Sequence, residues 1–364
     1  MEVLVLDQSF TTIAVIDQYE SMIWTDRYDK PGDFEIYTPV NDLMVTYPKV
    51  DNYLYFSESD HLMIIEDITI EANTEDGNHI KIVGRSLESI LDRRVITTEL
   101  NMEGNLQTAV RNLLTTNIIS PSDSKRRIPN FIFENSTDTA ITSLTYENQF
   151  KGKDLLSIIE EICESKEIGF KVVLDDQNRF VFSLYKGIDR SYRQDERTYV
   201  EFKPSFNNIV NSNYAEIHSS AKTFCYCHAT YTEKTEGGEG ESSSSEQVEV
   251  MRTVGSGTGL LRKEVYKDSG VSKDDEMSME QFYAKIDEAG AEELKDKKVK
   301  KTFDGECETT RMYVYKKHFY MGDVVQVANE YGMEAPSRVT EFIWSHSSSG
   351  ISNYPTFTAL DYEE

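Results

Sequence analysis

Short runs of alternating apolar and polar residues fill positions 1–85 of the chain. Alternation with a period of two predicts half-buried strands, and the Gly, Pro, Asn and Asp residues between the runs predict tight turns. A Pro31-Gly32 turn precedes one such strand, in which Phe34 and Ile36 share a face. Because a meander of this length must pair or close its edges, we expect a β-barrel-like fold.

Hydrophobic spacing becomes helical after residue 85. Ser86 is placed to cap one helix and Asn105 a second, while Gly169 is placed to end the longest apolar stripe, in "GKDLLSIIEEICESKEIGF". A hairpin centred on residues 175–178 follows this stripe. This part of the chain therefore predicts a mixed α/β unit.

Strand-like patterns return from residue 199 and continue towards the end of the sequence. Two segments interrupt them. Residues 234–259 are rich in Gly, Ser and Glu and predict a flexible loop or an extended hairpin tip. Residues 278–300 predict a helix that opens with a capping box of Ser278 and Gln281.

These patterns predict an α+β chain that is mainly β, with three domains. A first β-barrel-like domain occupies residues 1–85, and a mixed α/β domain occupies residues 86–198. A second β-barrel-like domain occupies residues 199–364 and carries the loop and the helical insertion. The length of 364 residues agrees with more than one domain.

Charge narrows the possible partners. The chain has 38 basic and 64 acidic side chains, so its formal net charge is −26. Such acidity opposes long-range attraction to nucleic acid and to anionic lipid. No apolar stretch approaches the roughly 20 residues of a membrane helix, so we expect no direct membrane insertion. With no secretory signal at the start, the four cysteines are expected to be free thiols: Cys163, Cys225, Cys227 and Cys307.

No pattern in the sequence predicts catalysis, a cofactor or a metal. Cys225 and Cys227 share one face of a predicted strand while His228 faces the other side, so the three cannot converge on zinc. The segment "GSGTGLLRK" lacks the order of a phosphate-binding loop, and no nucleophile elbow or HExxH pair is present. Acidic pairs such as Glu160 and Glu161 are typical of a solvated helix face. The basic run at residues 295–301 is favourable at a helix C-terminus.

Several stretches together carry a family resemblance. They are "WTDRYDKPGDFEIYTP", "GRSLESILDRRV", "FKGKDLLSIIEEICESKEIGFKV", "YKGIDRSYRQ" and "FYMGDVVQVANEYG", in that order. The sequence resembles siphophage and prophage tail proteins of the baseplate-hub, or tail-associated structural, type, and it is similar in plan to the hub of contractile-tailed phages. The loop and the helical insertion depart from this pattern. The residues that carry the resemblance are structural markers: Trp24, Arg27, Gly32, Phe34, Gly84, Arg85, Gly152, Gly187, Asp189, Arg190, Gly322 and Asp323.

The resemblance implies a non-enzymatic role and a set of partners. Members form a ring, a homotrimer, in which each chain supplies two similar β-barrel hub domains to the tip of the tail tube. The implied partners are the distal tail or tail tube protein, the tape measure protein, and a separate tip, fibre or cell-puncturing protein. DNA is implied only as passing cargo. The implied location is the virion tail, or a phage-tail-like particle, assembled in the cytoplasm of the bacterial host.

Two other functions stay open at this stage. One is a peptidoglycan-degrading tail lysin that uses a pair of acids. The other is a carbohydrate- or host-surface-binding β-protein that uses Trp24 or Trp344 as a stacking platform. Both tryptophans lie in alternating strand patterns, which favours a place in the core. Arg27 is expected to pair with Asp33 or Glu35.

Overall fold

Strands dominate the protein, as predicted. The computed structural model describes residues 2–73, 77–235, 244–274, 277–309 and 311–360. The strands are β1 (Val3–Leu6), β2 (Thr12–Ile16), β3 (Ser21–Arg27), β4 (Asp33–Pro39), β5 (Tyr53–Phe56), β6 (Met63–Asn73), β7 (Gly77–Ser86), β8 (Leu100–Met102), β9 (Phe131–Glu134), β10 (Asn148–Phe150), β11 (Gly169–Leu174), β12 (Phe180–Tyr185), β13 (Glu201–Phe202), β14 (Ile209–Ile217), β15 (Phe224–Thr235), β16 (Ser244–Gly255), β17 (Glu264–Asp268), β18 (Lys300–Cys307), β19 (Val324–Ala328), β20 (Glu334–Ser347) and β21 (Gly350–Ala359). The α-helices are α1 (Asp42–Thr46), α2 (Leu106–Leu114), α3 (Thr139–Thr142), α4 (Leu155–Lys166) and α5 (Met279–Asp296).

A thirteen-stranded sheet contains both the first and the last strand-rich segments. Its main path runs β14-β18-β21-β20-β3-β4-β7-β6-β5-β1-β2, with β19 paired to β20 and β13 to β19. The two segments meet where β3 and β20 run antiparallel, with Trp24 opposite Trp344. The path ends at β14 and β2, and no sheet in the described ranges closes into a barrel. The barrel-like form of the two hub domains therefore stays a prediction.

Aromatic side chains fill the core beneath this sheet. Trp24 and Trp344 are both buried, and Phe56 lies between them, with ring centroids 5.4 Å and 5.7 Å away. Phe34 and Ile36 point into the same core, as their spacing predicts. Since burying one large apolar side chain contributes on the order of 1.5–3 kcal/mol, neither tryptophan is available as an exposed sugar platform.

A separate apolar core lies under the α/β segment. Helix α4 packs near the three-stranded sheet β11-β12-β9, in which β9 and β12 are parallel and β11 is antiparallel. The predicted stripe on α4 is buried, and Asp154 caps the helix by accepting from the Ser157 amide. The helix ends at Glu167, which takes the left-handed conformation. The predicted stop at Gly169 is wrong, because that residue begins β11.

The predicted cap at Ser86 is correct in position only: Ser86 is the N-cap residue of the next segment, but its side chain makes no capping hydrogen bond. Residues Leu87–Arg93 form a 3₁₀ segment with no side-chain cap. The Ser86 hydroxyl instead accepts a hydrogen bond from the amide of Gly32 at 2.7 Å. This hydrogen bond connects the turn before β4 to the end of β7. The two residues are far apart in sequence, so local sequence does not predict the bond.

A small third unit consists of the sheet β16-β15-β17 and helix α5. Its core contains Cys225, Cys227, Phe282 and Ile286. The capping box of Ser278 and Gln281 opens α5 as predicted. Within the predicted segment 234–259, residues 236–243 lie outside the described residues. Residues 244–255 form strand β16, which pairs antiparallel with β15, so this part agrees with the predicted extended hairpin and not with the predicted flexible loop.

Candidate functional site

The Asp323 carboxylate joins two segments that carry sequence markers. It is buried at the turn before β19 and accepts from the Ile188 amide at 2.7 Å and from Nε of Arg190 at 2.8 Å. It also accepts from the Tyr320 amide at 3.1 Å. Because both oxygens have donors, including one charged donor, the buried carboxylate is compensated. Asp189 lies beside it, where its backbone bridges to Val324.

Two glycines let these segments approach closely. A Cβ atom on Gly187 would lie 1.9 Å from the carbonyl carbon of Gly322. Gly322 itself has φ +84°, and a Cβ there would lie 2.2 Å from Cε2 of Tyr28. Only glycine satisfies both the backbone angle and the available space at position 322.

Tyr28 is the centre of this arrangement. Its ring is buried, its hydroxyl donates to the Glu167 carbonyl at 3.3 Å, and its amide donates to the Thr340 carbonyl at 3.0 Å. The guanidinium of Arg338 lies 5.4 Å from the ring centroid. Arg338 also donates to the Gly322 carbonyl at 3.1 Å. Burial raises the pKa of Tyr28, so the phenol stays protonated.

We call Tyr28, Gly169, Gly187, Gly322, Asp323 and Arg338 the Tyr28 junction. It connects the end of β3, the start of β11 and the turn before β19, which belong to three parts of the chain. Tyr28, Gly169 and Arg338 were missed as site residues. Tyr28 stands next to the marker Arg27, but sequence spacing does not reveal that two distant glycines pack on its ring.

A second group of markers surrounds the turn between β3 and β4. Arg27 pairs with Asp33 at 2.8 Å, as predicted, and with Glu341 at 2.6 Å. The other candidate, Glu35, pairs with Lys81 at 2.5 Å. The Arg27–Glu341 pair attaches the first strand-rich segment to β20, which neither segment reveals alone.

The remaining glycine markers divide into two kinds. A Cβ on Gly32 would lie 2.2 Å from the Thr25 carbonyl oxygen, and one on Gly84 would lie 1.8 Å from that of Ile64. Both sites therefore require glycine for close backbone approach. Gly152 has φ +73°, but a Cβ at this position would meet no other atom within 4 Å, so the residue borders open space.

Arg85, the last marker, holds two acids on the surface beside β7. Its guanidinium contacts Glu66 at 2.8 Å and Asp92 at 2.7 Å. Hydrogen bonds to Glu66 raise its pKa further. These are half-exposed ion pairs that position side chains, and each contributes about 1 kcal/mol or less.

A buried polar cluster superficially resembles a hydrolase triad. It contains Asp26, Ser59, His61 and Glu88. The Ser59 hydroxyl donates to Asp26 at 2.7 Å, while Nδ1 of His61 contacts Glu88 at 2.9 Å. Glu88 also accepts from the Val172 amide at 2.7 Å. Because the serine bonds to the acid and not to the imidazole ring, the cluster lacks the serine–base pair of a hydrolase.

Charge compensation explains why this cluster can be buried. Burial acts to lower the pKa of His61, but the charges of Glu88 and Asp26 outweigh it and raise that pKa to about 9. Burial acts to raise the pKa of Glu88, and the His61 charge reverses this and holds it below its usual value. The pKa of Asp26 is raised by burial. The cluster links β3, the 3₁₀ segment and β11.

Another buried polar cluster attaches α5 to the α/β unit. Glu292 accepts from the Tyr146 hydroxyl at 2.8 Å and from the Asn148 side chain at 2.7 Å. Lys285 donates to the Asn101 side chain at 3.1 Å. Burial, followed by the charges of neighbouring acids on α4 and α5, raises the pKa of Glu292 to about 8. Burial therefore favours the neutral form of Glu292, which opposes the stabilisation of its carboxylate by the Tyr146 hydroxyl.

The thiols show no sign of a reactive or metal-binding site. Burial raises the pKa of Cys227 to about 12 and also raises that of Cys225, which keeps both protonated. His228 lies on the opposite face of β15, as predicted. No group of three possible metal ligands occurs among the residues that the structure describes. Over the same residues, no helix is long and apolar enough to cross a membrane.

Comparison with solved structures identifies the class of this fold. A prophage tail protein, gp18 from Listeria monocytogenes EGD-e, matches with a TM-score of 0.53 at 11% identity, over 100% of this chain and 96% of that chain. The tail protein from Neisseria meningitidis MC58 matches with a TM-score of 0.58 at 13% identity, over 99% and 96%. The 43 kDa tail protein of prophage MuSo2 from Shewanella oneidensis matches with a TM-score of 0.57 at 10% identity, over 99% of this chain and 98% of that chain. The fold is thus one found in phage tail proteins.

A family match gives a closer assignment. Residues 2–357 match the family described as Siphovirus ReqiPepy6 Gp37-like protein, and the chain belongs to this family. A comparison with curated proteins finds no match. The predicted relation to siphophage and prophage tail proteins is confirmed, and so is the predicted location in the virion tail.

Proposed function

We propose that the protein is a structural hub of the tail tip. Copies of the chain form a homotrimeric ring that joins the tail tube to the tip and lets the tape measure protein and then DNA pass. The observation that carries this proposal is the likeness to three tail proteins over 96–98% of their length. Family membership over residues 2–357 favours a structural over a catalytic role.

The central sheet suits this role mechanically. Strands β3 and β20 join the first and last strand-rich segments in one ladder, and the Arg27–Glu341 pair lies at its end. We propose that residues 1–85 and 199–364 supply the two hub domains and that residues 86–198 lie between them. A ring element that transmits load between tube and tip benefits from such continuous pairing.

The charge of the chain suits passage of DNA. A lumen that carries carboxylates repels phosphate, so DNA slides through without the counterion release that strengthens binding to basic proteins. The net charge of −26 supplies such acids in excess. The proposed partners are the tail tube or distal tail protein, the tape measure protein, and a tip, fibre or cell-puncturing protein.

The marker residues have a structural role in this proposal. The Tyr28 junction and the turn at Gly32 hold three segments of one chain together, and none of these residues is assigned to chemistry. Substitution there is expected to impair folding and, through folding, ring assembly.

Assembly state tests the proposal directly. Light scattering and negative-stain images of the purified chain should show rings with three times the mass of one chain, and gold-labelled protein in isolated tails should lie at the tip. A strictly monomeric chain within a complete tail-tip preparation contradicts the proposal. Incubation with purified peptidoglycan should release no muropeptides, and reproducible release would support the lysin alternative.

A further inference from the structure

The loop between β16 and β17 exposes two adjacent leucines. Leu260 is 99% exposed and Leu261 is 78% exposed. They lie in the 3₁₀ turn Gly259–Leu261, at one end of the small sheet that α5 covers. Single exposed leucines are common on protein surfaces, but two adjacent leucines exposed to this degree in one short turn are not explained by packing in the core.

Hydrogen bonds hold this loop in a defined shape. The Thr223 hydroxyl donates to the Leu261 carbonyl at 3.0 Å and accepts from the Lys263 amide at 3.0 Å. The Arg262 guanidinium lies 3.5 Å from the ring centroid of Phe224. The leucines are therefore presented outwards by an ordered scaffold, which lowers the entropy cost of binding through them.

Lysines surround the same end of the unit. The Lys222 amide donates to the Lys297 carbonyl at 2.7 Å, which brings the start of β15 beside the end of α5. Lys263 lies two residues after Leu261, and its ammonium donates to the His218 carbonyl at 3.1 Å. Lys298 is exposed one residue beyond Lys297.

The nearby carboxylates do not neutralise all of this charge. Glu264 pairs with Arg262 at 2.6 Å, and Glu293 pairs with Lys297 at 3.3 Å. Within the described ranges, no ion pair joins Lys222, Lys263 or Lys298 to a carboxylate. Among the residues that the structure describes, this end of the unit therefore has lysines without a carboxylate partner near the leucine turn, although the chain as a whole is strongly acidic.

We propose that this leucine turn docks on an anionic lipid bilayer, with Leu260 and Leu261 in the interfacial region and the lysines at the headgroups. Two protruding apolar side chains can enter a fluid lipid surface without a preformed pocket, whereas a protein partner would need a matching pocket. The lysines complement anionic headgroups. The net charge of the chain opposes such docking at long range, but a Debye length of about 8 Å at physiological salt screens distant acids.

Vesicle co-sedimentation of the full chain tests this proposal. The chain should bind vesicles of phosphatidylglycerol mixed with phosphatidylcholine, and added salt should weaken binding. The double variant L260S/L261S should bind about tenfold more weakly or worse. Lys263→Glu should weaken binding by about fivefold or more, since one lysine near an anionic surface contributes about that factor.

A matched control variant distinguishes binding through this turn from nonspecific hydrophobic binding to vesicles. Tyr331 is 81% exposed in the turn before β20, and Ile351 is 71% exposed at the start of β21. The double variant Y331S/I351S should bind these vesicles as the unchanged chain does, and circular dichroism should show that both double variants are folded. The proposal is overturned if the unchanged chain does not bind anionic vesicles, if L260S/L261S binds normally, or if the control loses binding equally.

Discussion

The packing of Gly322 against Tyr28 can be tested apart from backbone conformation. Gly322 has φ +84° and Gly152 has φ +73°, and asparagine tolerates this region better than most residues. Gly322→Asn would place a Cβ 2.2 Å from the Tyr28 ring, whereas Gly152→Asn would place one in open space. The two variants therefore share the backbone strain and differ in the steric clash.

We expect the clash to dominate. Carbon atoms in contact normally lie about 3.5–4.0 Å apart, so the ring must move by more than 1 Å, roughly, or the turn must shift. Overpacking of this kind costs about 1–3 kcal/mol. The shift would also disturb the contacts of Arg338 with the ring and with the Gly322 carbonyl, so the cost should lie at the upper end of that range. Gly152→Asn should cost well under about 1 kcal/mol.

Urea unfolding followed by circular dichroism measures both changes in the free energy of unfolding. A double-mutant cycle with Tyr28→Leu should show coupling with Gly322→Asn, because a smaller side chain relieves the clash, and no coupling with Gly152→Asn. Equal loss of stability in the two asparagine variants would refute the argument. So would Gly322→Asn unfolding at the same urea concentration as the unchanged chain.

Three further predictions follow from contacts in the described residues. Gly32→Val should impair folding and ring assembly, since its Cβ would lie 2.2 Å from the Thr25 carbonyl oxygen. The yield of soluble protein and native mass spectrometry of its oligomers measure the two effects. Glu292, whose pKa rises from 4.5 to about 8 on folding, contributes stability that is full below pH 4.5 and is lost as pH rises through about 8. In unfolding experiments between pH 4.5 and 8, Glu292→Gln should reduce the fall of the free energy of unfolding with pH. An unchanged fall would contradict the raised pKa of Glu292. The pKa of His61 is about 9 in the folded protein against 6.5 in the unfolded chain, so its contribution to stability is full below pH 6.5 and is lost as the pH rises through about 9. His61→Gln should remove this pH-dependent loss of stability in unfolding experiments. If the loss persists in the variant, a group other than His61 balances the charge of Glu88.

Local features of the fold were predictable from local sequence. The alternation around Phe34, the stripe of α4 and the capping box at Ser278 depend on neighbours within a few residues, and the structure contains all three. Pairing between distant strands was not predictable. Alternation identifies a strand but does not name its partner, so Trp24 opposite Trp344 could not be foreseen.

The candidate site shows the same division. Glycine markers such as Gly187 and Gly322 could be selected from the sequence, but the reason for them could not. That reason is the ring of Tyr28 and the backbone of a distant turn, which meet only after the chain has folded. The C-terminal end of α4 was predicted at Gly169, because glycine usually takes the left-handed conformation after a helix. In the structure Glu167 takes that conformation instead.

The ladder between β3 and β20 also has a consequence for synthesis of the protein. The ribosome completes β3 long before β20 emerges, so the inner edge of β3 has no partner on that side during most of translation. Contacts so distant in sequence are expected to form slowly, and an open strand edge favours aggregation. A prematurely terminated chain would lack β20 and leave Trp24 poorly covered. The central strand β3 therefore gains its second neighbour, and Trp24 its full burial, only after β20 has been synthesised.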